Sequence, residues 1–138
     1  MYKTILVTLE VSPTDRIIIQ HIKELAKIMH SSVKLLHVAT GAAAQWHGPN
    51  AGGKEIEEDQ AYLNRMRDEF LAEGIPTESE LAYGDPVKQI IKWIEEKGCD
   101  LVAMSTHGHK IVGDLIHGTT ASRVQHGVSV PVLLLRAK

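Results

Sequence analysis

Five short, largely apolar segments alternate with longer segments of helical periodicity, and this alternation constrains the fold more than any other feature of the sequence. We predict strands at residues 5–9, 33–38, 77–83, 100–105 and 130–135. Strands that alternate with helices form a parallel sheet with helices on both faces, joined by right-handed crossovers. The segment 77–83 alternates polar and apolar residues more than the others, so we place it at an edge. The sequence therefore predicts an α/β fold with an open five-stranded parallel sheet.

The first predicted helix follows residues 12–15, Ser-Pro-Thr-Asp, where a Ser or Thr cap and a proline in the first turn favour a helix start. Apolar residues then recur at three- and four-residue steps and form one buried stripe, which leaves Lys23, Glu24 and Lys27 to water. Further helices are predicted at residues 56–71, 87–97 and 119–126. Residues 41–54 and 106–118 match no regular pattern and are predicted loops.

Composition narrows the class of protein. The 138 residues correspond to a single domain, predicted to span 1–138. A formal net charge of -2 gives no concentrated basic face, so we expect neither nucleic acid nor an acidic membrane surface as a partner. The single cysteine, Cys99, cannot form an internal disulfide and is predicted to be a buried or half-buried, unreactive thiol. There is no signal-peptide pattern and no apolar run of membrane-spanning length, and we expect a soluble cytoplasmic protein.

The most informative segment is residues 105–120, which leaves a buried strand, passes through a loop with glycines and enters a helix. Gly108 and Gly118 allow the backbone to approach a ligand closely, and the first amides of the helix have no internal partners. Such a helix start binds phosphate, and the hydroxyls of Thr119 and Thr120 can add hydrogen bonds. Turn and cap roles are the alternative for these residues. The segment matches neither a P-loop nor a dinucleotide fingerprint.

The whole chain resembles the universal stress protein family. Its nucleotide-binding members carry a glycine, two residues, a second glycine, nine residues, and then a glycine with Ser or Thr. Here Gly108 matches the second glycine and Gly118-Thr119 match the closing pair, whereas Ser105 stands at the first position. A Cβ and hydroxyl at Ser105 narrow the space over a bound nucleotide. The resemblance implies the adenine nucleotide alpha hydrolase-like fold with strand order 3-2-1-4-5.

The resemblance also implies a binding site for ATP or ADP, with Mg²⁺ as an optional companion of the phosphates. An acidic residue after the first strand, here Glu10 behind Leu9, would lie near the adenosine, and the backbone of Val38 would meet the adenine. The phosphates would lie along the segment that follows the fourth strand. The implied residues of that segment are Ser105, Thr106, His107, Gly108, His109, Gly118, Thr119 and Thr120. In many relatives the last strand pairs across a dimer axis, which implies a homodimer through residues 132–135.

The sequence thus predicts an ATP- or ADP-binding universal stress protein that acts as a sensor or adaptor in the stress response, with a protein partner of unknown identity. Residues 106–117 would order when nucleotide binds. Dedicated catalysis is not expected, because the His-x-Gly-His signature of related nucleotidyl transferases and the G-x-S-x-G elbow are missing. One alternative is a nucleotide-free dimeric interaction module of the same family. The other is a metal site on His107, His109 and His117, for which the ligand set is incomplete and no metal is predicted.

Overall fold

The computed structural model describes residues 1–39, 53–107 and 120–137, in which five strands alternate with four helices. The strands are β1 (Thr4–Thr8), β2 (Ser32–Ala39), β3 (Thr77–Tyr83), β4 (Leu101–His107) and β5 (Val132–Ala137). The helices are α1 (Asp15–Met29), α2 (Gly53–Ala72), α3 (Pro86–Lys97) and α4, of which residues 120–127 are described. Among the described residues, no helix is long and apolar enough to cross a membrane.

All four strand pairs are parallel, and the sheet order is β3-β2-β1-β4-β5. The predicted α/β architecture, the strand order 3-2-1-4-5 and the edge position of β3 are therefore confirmed. From β1 the chain winds outward through β2 to β3 and then returns to place β4 and β5 on the other side of β1. The direction in which successive strands are added to the sheet thus reverses at the boundary between β1 and β4.

Two apolar layers cover the sheet, one on each face. On one face α1 and α2 pack on alternate strand residues, and the largest fully buried side chains there include Ile5, Ile18, Leu35 and Phe70. On the other face Leu6 and Val102 pack with α3 and α4. Because successive residues of a strand point to opposite faces, this burial on both sides explains why the central strands are nearly continuous apolar runs.

The start of α1 differs from the prediction in how it is capped. Thr14 occupies the N-cap position, but its side chain makes no capping hydrogen bond. The oxygen of the Ser12 side chain accepts from the Thr14 amide instead, at 3.3 Å. The carboxylate of Asp15, the first helical residue, turns back toward the preceding turn rather than toward the helix. The predicted start and the threonine at the N-cap position are therefore correct, but the Thr14 side chain makes no hydrogen bond that caps the helix.

Lys23 corrects a second expectation, because it is only 5% exposed although the sequence predicts a solvent-facing residue. Its ammonium lies 3.0 Å from a Glu69 oxygen, 2.9 Å from a Glu73 oxygen and 5.6 Å from the centre of the Phe70 ring. Burial alone lowers the pKa of Lys23, but the carboxylates of Glu73 and Glu69 outweigh this effect and raise it. Helix α2 thus covers a position that the periodicity of α1 leaves to water.

The observed bounds of β4 and β5 differ from the predicted bounds, and the difference at β4 affects the candidate site. Thr106 and His107 belong to β4, not to the predicted loop, because they pair in register with Arg136 and Ala137 of β5. Strand β5 correspondingly begins two residues later than predicted and extends to Ala137. Cys99 is 4% exposed, as expected, and burial raises its thiol pKa to about 11.

Candidate functional site

The structure brings five of the predicted ligand-binding residues to one edge of the sheet, at the carboxyl ends of β1, β2 and β4. These residues are Leu9, Glu10, Val38, Ser105 and Thr106. Strand β1 lies between the other two, with Thr8 opposite Leu36 and Val7 opposite Ala103. The register with β2 continues beyond β1, since the Leu9 amide donates to the Leu36 carbonyl at 2.8 Å. In open α/β sheets, ligands bind outside the carboxyl ends of the strands at the point where the strand order reverses, which here is the boundary between β1 and β4.

The turn that links β1 to α1 is held together by the carboxylate of Asp15, which is fully buried. One carboxylate oxygen accepts from the Glu10 amide at 2.9 Å. The other accepts from the amides of Val11 and Ser12, at 2.9 and 3.3 Å. A buried carboxylate is tolerated only when hydrogen bonds replace its lost hydration. Asp15 therefore holds the backbone of Glu10, Val11 and Ser12 in place, and Glu10 is the acidic residue predicted to lie near the adenosine.

Val11 has a left-handed backbone, with φ of 59°. For a β-branched residue this conformation is strained, and residues in such regions cost on the order of 1–3 kcal/mol. The surrounding contacts must hold the residue there, and the hydrogen bond from its amide to Asp15 is one of them. Strain of this kind is concentrated at functional sites, which makes the β1–α1 turn a candidate by a criterion independent of its sequence.

Tyr62 of α2 completes the turn from the neighbouring layer. Its hydroxyl donates to the Asp15 carboxylate at 2.7 Å and lies 3.4 Å from the Ser12 carbonyl. Burial, followed by the hydrogen bond to Asp15, raises the pKa of Tyr62 far above its ordinary value. The phenol therefore stays protonated and remains a donor throughout the physiological range.

His37, the residue before Val38, connects the ends of β1 and β2 to α2. Its Nδ1 lies 2.7 Å from the carbonyl oxygen of Leu9, and its Nε2 lies 3.8 Å from a carboxylate oxygen of Asp59. Nδ1 must carry the proton to donate to a carbonyl, which leaves Nε2 directed toward Asp59. The backbone carbonyl of Leu9, a residue predicted to bind ligand, therefore already accepts a hydrogen bond from the His37 imidazole.

The Glu10 side chain lies close to the start of α1, where the hydroxyl of Thr14 donates to its carboxylate at 3.4 Å. On the opposite side of the edge Ser105 is buried at 9% exposure, and Thr106 and Thr120 are half-buried. Ser105 lies on the same face of β4 as Ala103, since the two are two positions apart in the strand. Polar groups of the β1–α1 turn and of the end of β4 therefore lie at the same edge of the sheet.

The remaining predicted residues lie outside the part of the chain that the structure describes. These are Gly108, His109, Gly118 and Thr119, together with His117 of the metal alternative. For His107 the structure describes the strand backbone and its pairing with Ala137. Within residues 1–39, 53–107 and 120–137, no three His, Cys, Asp or Glu side chains are grouped so that they could hold a metal ion.

Sequence reasoning missed Asp15, Tyr62, His37 and Asp59 as members of this edge. A signal was available for two of them. Tyr62 is a polar-tipped residue within the apolar stripe of α2, and His37 is a polar residue in the apolar second half of its strand. Asp15 was hidden because an acidic residue in the first turn of a helix is ordinarily explained by the helix dipole.

The model of the universal stress protein family matches residues 1–136. The chain belongs to the universal stress protein family. A relative from Synechocystis, universal stress protein Slr1230, is 34% identical over 86 residues, which cover 61% of this chain and 30% of that protein. The chain thus spans under a third of that relative. A second relative, universal stress protein MJ0577 of Methanocaldococcus jannaschii, is 24% identical, and the alignment covers 100% of this chain and 97% of that protein.

Solved universal stress protein structures share the fold. The MJ0577 structure superposes with a TM-score of 0.83 and 26% identity, covering 100% of this chain and 98% of that one. A universal stress protein from Archaeoglobus fulgidus, solved in complex with dAMP, superposes with a TM-score of 0.72 over 96% of this chain and 97% of that one. Its identity is 18%, so this second likeness concerns the fold alone.

Proposed function

We propose that this universal stress protein binds an adenine nucleotide, ATP or ADP, and acts as a nucleotide-dependent sensor or adaptor in the stress response. The observation that carries the proposal is a shared position at the carboxyl edge of the sheet, next to the point where the strand order reverses, for Leu9, Glu10, Val38, Ser105 and Thr106. The complex of the Archaeoglobus fulgidus protein with dAMP adds support, since that ligand also contains adenine and phosphate.

In this proposal the adenine lies near the Val38 backbone and the sugar near Glu10. The phosphates lie along the segment after β4, with Gly108, Gly118 and Thr119 as the closest groups. Thr120 and its preceding residues would contribute amides of a helix start, which attract anions. Mg²⁺ is proposed only as a companion of the phosphates.

We propose binding without dedicated catalysis. The Asp15 carboxylate is fully buried and accepts four hydrogen bonds within the β1–α1 turn and α2, so we assign it to holding the turn rather than to acting as a general base. A nucleotide-dependent change in residues 108–117, the part of the predicted loop that follows β4, would then be the output that a partner protein reads. We propose a single cytoplasmic domain as the setting for this activity.

The direct test is to denature freshly purified, untagged protein and to identify any released nucleotide by chromatography and mass spectrometry. Near-stoichiometric ATP or ADP supports the proposal. Protein that releases no nucleotide, and that binds none by calorimetry when ATP is added in large excess, contradicts it. Limited proteolysis with and without ATP then tests the sensor role, because ordering of residues 108–117 on ATP binding predicts slower cleavage there.

The alternative is a nucleotide-free interaction module. Substitution of Ser105, the residue that departs from the family motif, distinguishes this alternative from nucleotide binding. Ser105→Gly removes the Cβ and hydroxyl that narrow the site, and a large gain in ATP affinity would indicate that the native site is closed. The matched control is Ala103→Gly, two residues earlier on the same face of β4. An equal change in both variants would reflect the loss of strand stability rather than the site.

We further propose a homodimer through residues 132–135 of β5. This strand forms one edge of the sheet, and Leu134 is 39% exposed there. An exposed apolar edge strand favours pairing with another strand. Leu134→Lys is expected to shift the protein from dimer to monomer in light scattering. The same mass for Leu134→Lys and the native protein would contradict this interface.

A further inference from the structure

The turn after β1 has the geometry of an anion-binding nest. The amides of three consecutive residues, Glu10, Val11 and Ser12, point at a single carboxylate within 2.9 to 3.3 Å. The left-handed φ of Val11 bends the backbone so that these amides converge. Concave groups of successive amides of this kind bind phosphate and other anions in proteins. A nest at the ligand-binding edge would therefore be expected to take the phosphates of a nucleotide.

In this chain the nest is already filled by the protein itself. The Asp15 carboxylate accepts all three amides and, in addition, the hydroxyl of Tyr62. The amides of Val11 and Ser12 and the Tyr62 hydroxyl share one carboxylate oxygen, and the Glu10 amide donates to the other, so both oxygens are engaged. Asp15 is fully buried, and Tyr62 lies against it from α2, so water and ligand have no access to the carboxylate from that side.

The charges around the turn also oppose a second anion. Glu10 contributes a further carboxylate at the same turn, and its side chain lies within 3.4 Å of the Thr14 hydroxyl. The cation next in the chain to Asp15, Arg16, is paired with Glu69, to which it donates at 2.8 and 3.2 Å. Like charges repel one another strongly when they are partly withdrawn from water.

We propose that Asp15 determines the direction in which a nucleotide lies in this site, because it occupies the nest as an internal anion. The β1–α1 turn then accepts only the uncharged nucleoside part of the ligand, and the phosphates must lie on the side of β4 and α4. Asp15 is a positioning residue in this scheme, and Tyr62 keeps its carboxylate in place. The inference rests on the proposed function for its ligand.

Amide chemical shifts of the ¹⁵N-labelled native protein test the proposal, with inorganic phosphate, adenosine and ATP as separate probes. Phosphate alone is expected to leave the amides of Glu10, Val11 and Ser12 unshifted. Adenosine and ATP are expected to shift these three amides by about the same amount, whereas Thr120 shifts with ATP only. Shifts of the three amides with phosphate, or larger shifts with ATP than with adenosine, would overturn the proposal.

The variant Asp15→Ala empties the nest and is expected to make the same three amides respond to inorganic phosphate. Such a gain of binding would not follow from a loss of stability. Tyr62→Phe is the matched control, since it removes a donor to the carboxylate but leaves the nest filled, and phosphate should have no effect there. If Asp15→Ala does not fold, the native-protein and Tyr62→Phe measurements still decide the question.

The two proposals fail differently. If neither ATP nor adenosine shifts any amide, the proposed function is wrong. The phosphate titrations of the native protein and of Asp15→Ala nevertheless continue to test whether the nest is filled from within. If ATP binds and shifts the amides of residues 10–12 through its phosphates, the function stands and the role of Asp15 is wrong.

Discussion

The hydroxyl of Tyr62 donates a hydrogen bond of 2.7 Å to the buried carboxylate of Asp15, and this bond joins α2 to the turn after β1. The two residues are 47 positions apart in the chain. Hydrogen bonds to charged groups contribute about 1.5–3 kcal/mol to stability. The contact therefore links the packing of a whole helix to the conformation of the candidate site.

Tyr62→Phe should lower the free energy of unfolding by about 1–2 kcal/mol, because the buried carboxylate loses one donor. Urea denaturation measures the change. Tyr2→Phe is the control, since Tyr2 packs against the same apolar layer from the opposite edge of the sheet. It should change stability by less than about 0.5 kcal/mol. Equal losses in the two variants would mean that the bond to Asp15 contributes nothing of its own.

Val11→Gly should preserve or raise stability, by up to about 1 kcal/mol, because glycine adopts a positive φ without a steric cost. Val130→Gly is the matched control, a half-buried valine outside the positive-φ region. It should lower stability by about 1 kcal/mol through lost packing and added chain entropy. Thermal denaturation of both variants measures these changes. A loss of stability in Val11→Gly comparable to that in Val130→Gly would contradict backbone strain at Val11.

Lys23→Ala should lower the free energy of unfolding by about 1–2 kcal/mol. This loss is smaller than that for a fully buried ion pair, because the carboxylates of Glu69 and Glu73 are 36% exposed. Lys27→Ala tests the same network from its exposed side, where the lysine side chain is 49% accessible. Surface ion pairs are worth little, so this variant should lose at most about 0.5 kcal/mol. The urea midpoints of the two variants should differ clearly, and coincident midpoints would show that burial of Lys23 is unimportant.

Acid should weaken the contact between α1 and α2. The hydrogen bond from Arg16, assisted by Lys23, lowers the pKa of Glu69 from 4.5 to about 2. A lowered carboxyl pKa stabilises the fold fully above the unfolded value, and this contribution is lost as pH falls from 4.5 toward about 2. Glu69→Gln should therefore show a shallower loss of stability over this range than the native protein. Glu57→Gln, on an exposed position of the same helix, should follow the native curve.

Cys99 should resist thiol reagents in the folded protein. Burial raises its pKa to about 11, so the thiolate fraction is very small at neutral pH. Reaction with a disulfide reagent is expected to be slow in buffer and complete in urea, with one thiol titrated per chain. Rapid labelling of the native protein would show that the segment between α3 and β4 opens readily.

The periodicity of the chain was sufficient to predict the sheet, its strands and the placement of helices on both faces. Apolar alternation and three- to four-residue repeats are local properties, and elements such as β3 were predicted with their observed bounds. The resemblance of the whole chain added the strand order and the expectation that Glu10 and Val38 share one edge. The parallel register brings these residues together because all parallel strands end at the same side of the sheet.

Only the tertiary structure decided which polar groups are buried and what they contact. Lys23 follows the pattern of an exposed residue until α2, 46 positions away, covers it with Glu69. Asp15 resembles an ordinary residue of a helix first turn until the chain folds back and its carboxylate meets three amides and a phenol. The reason is physical. Hydrophobic periodicity is set by neighbours within a helix turn or a strand, whereas the burial of a charge depends on partners contributed by distant segments.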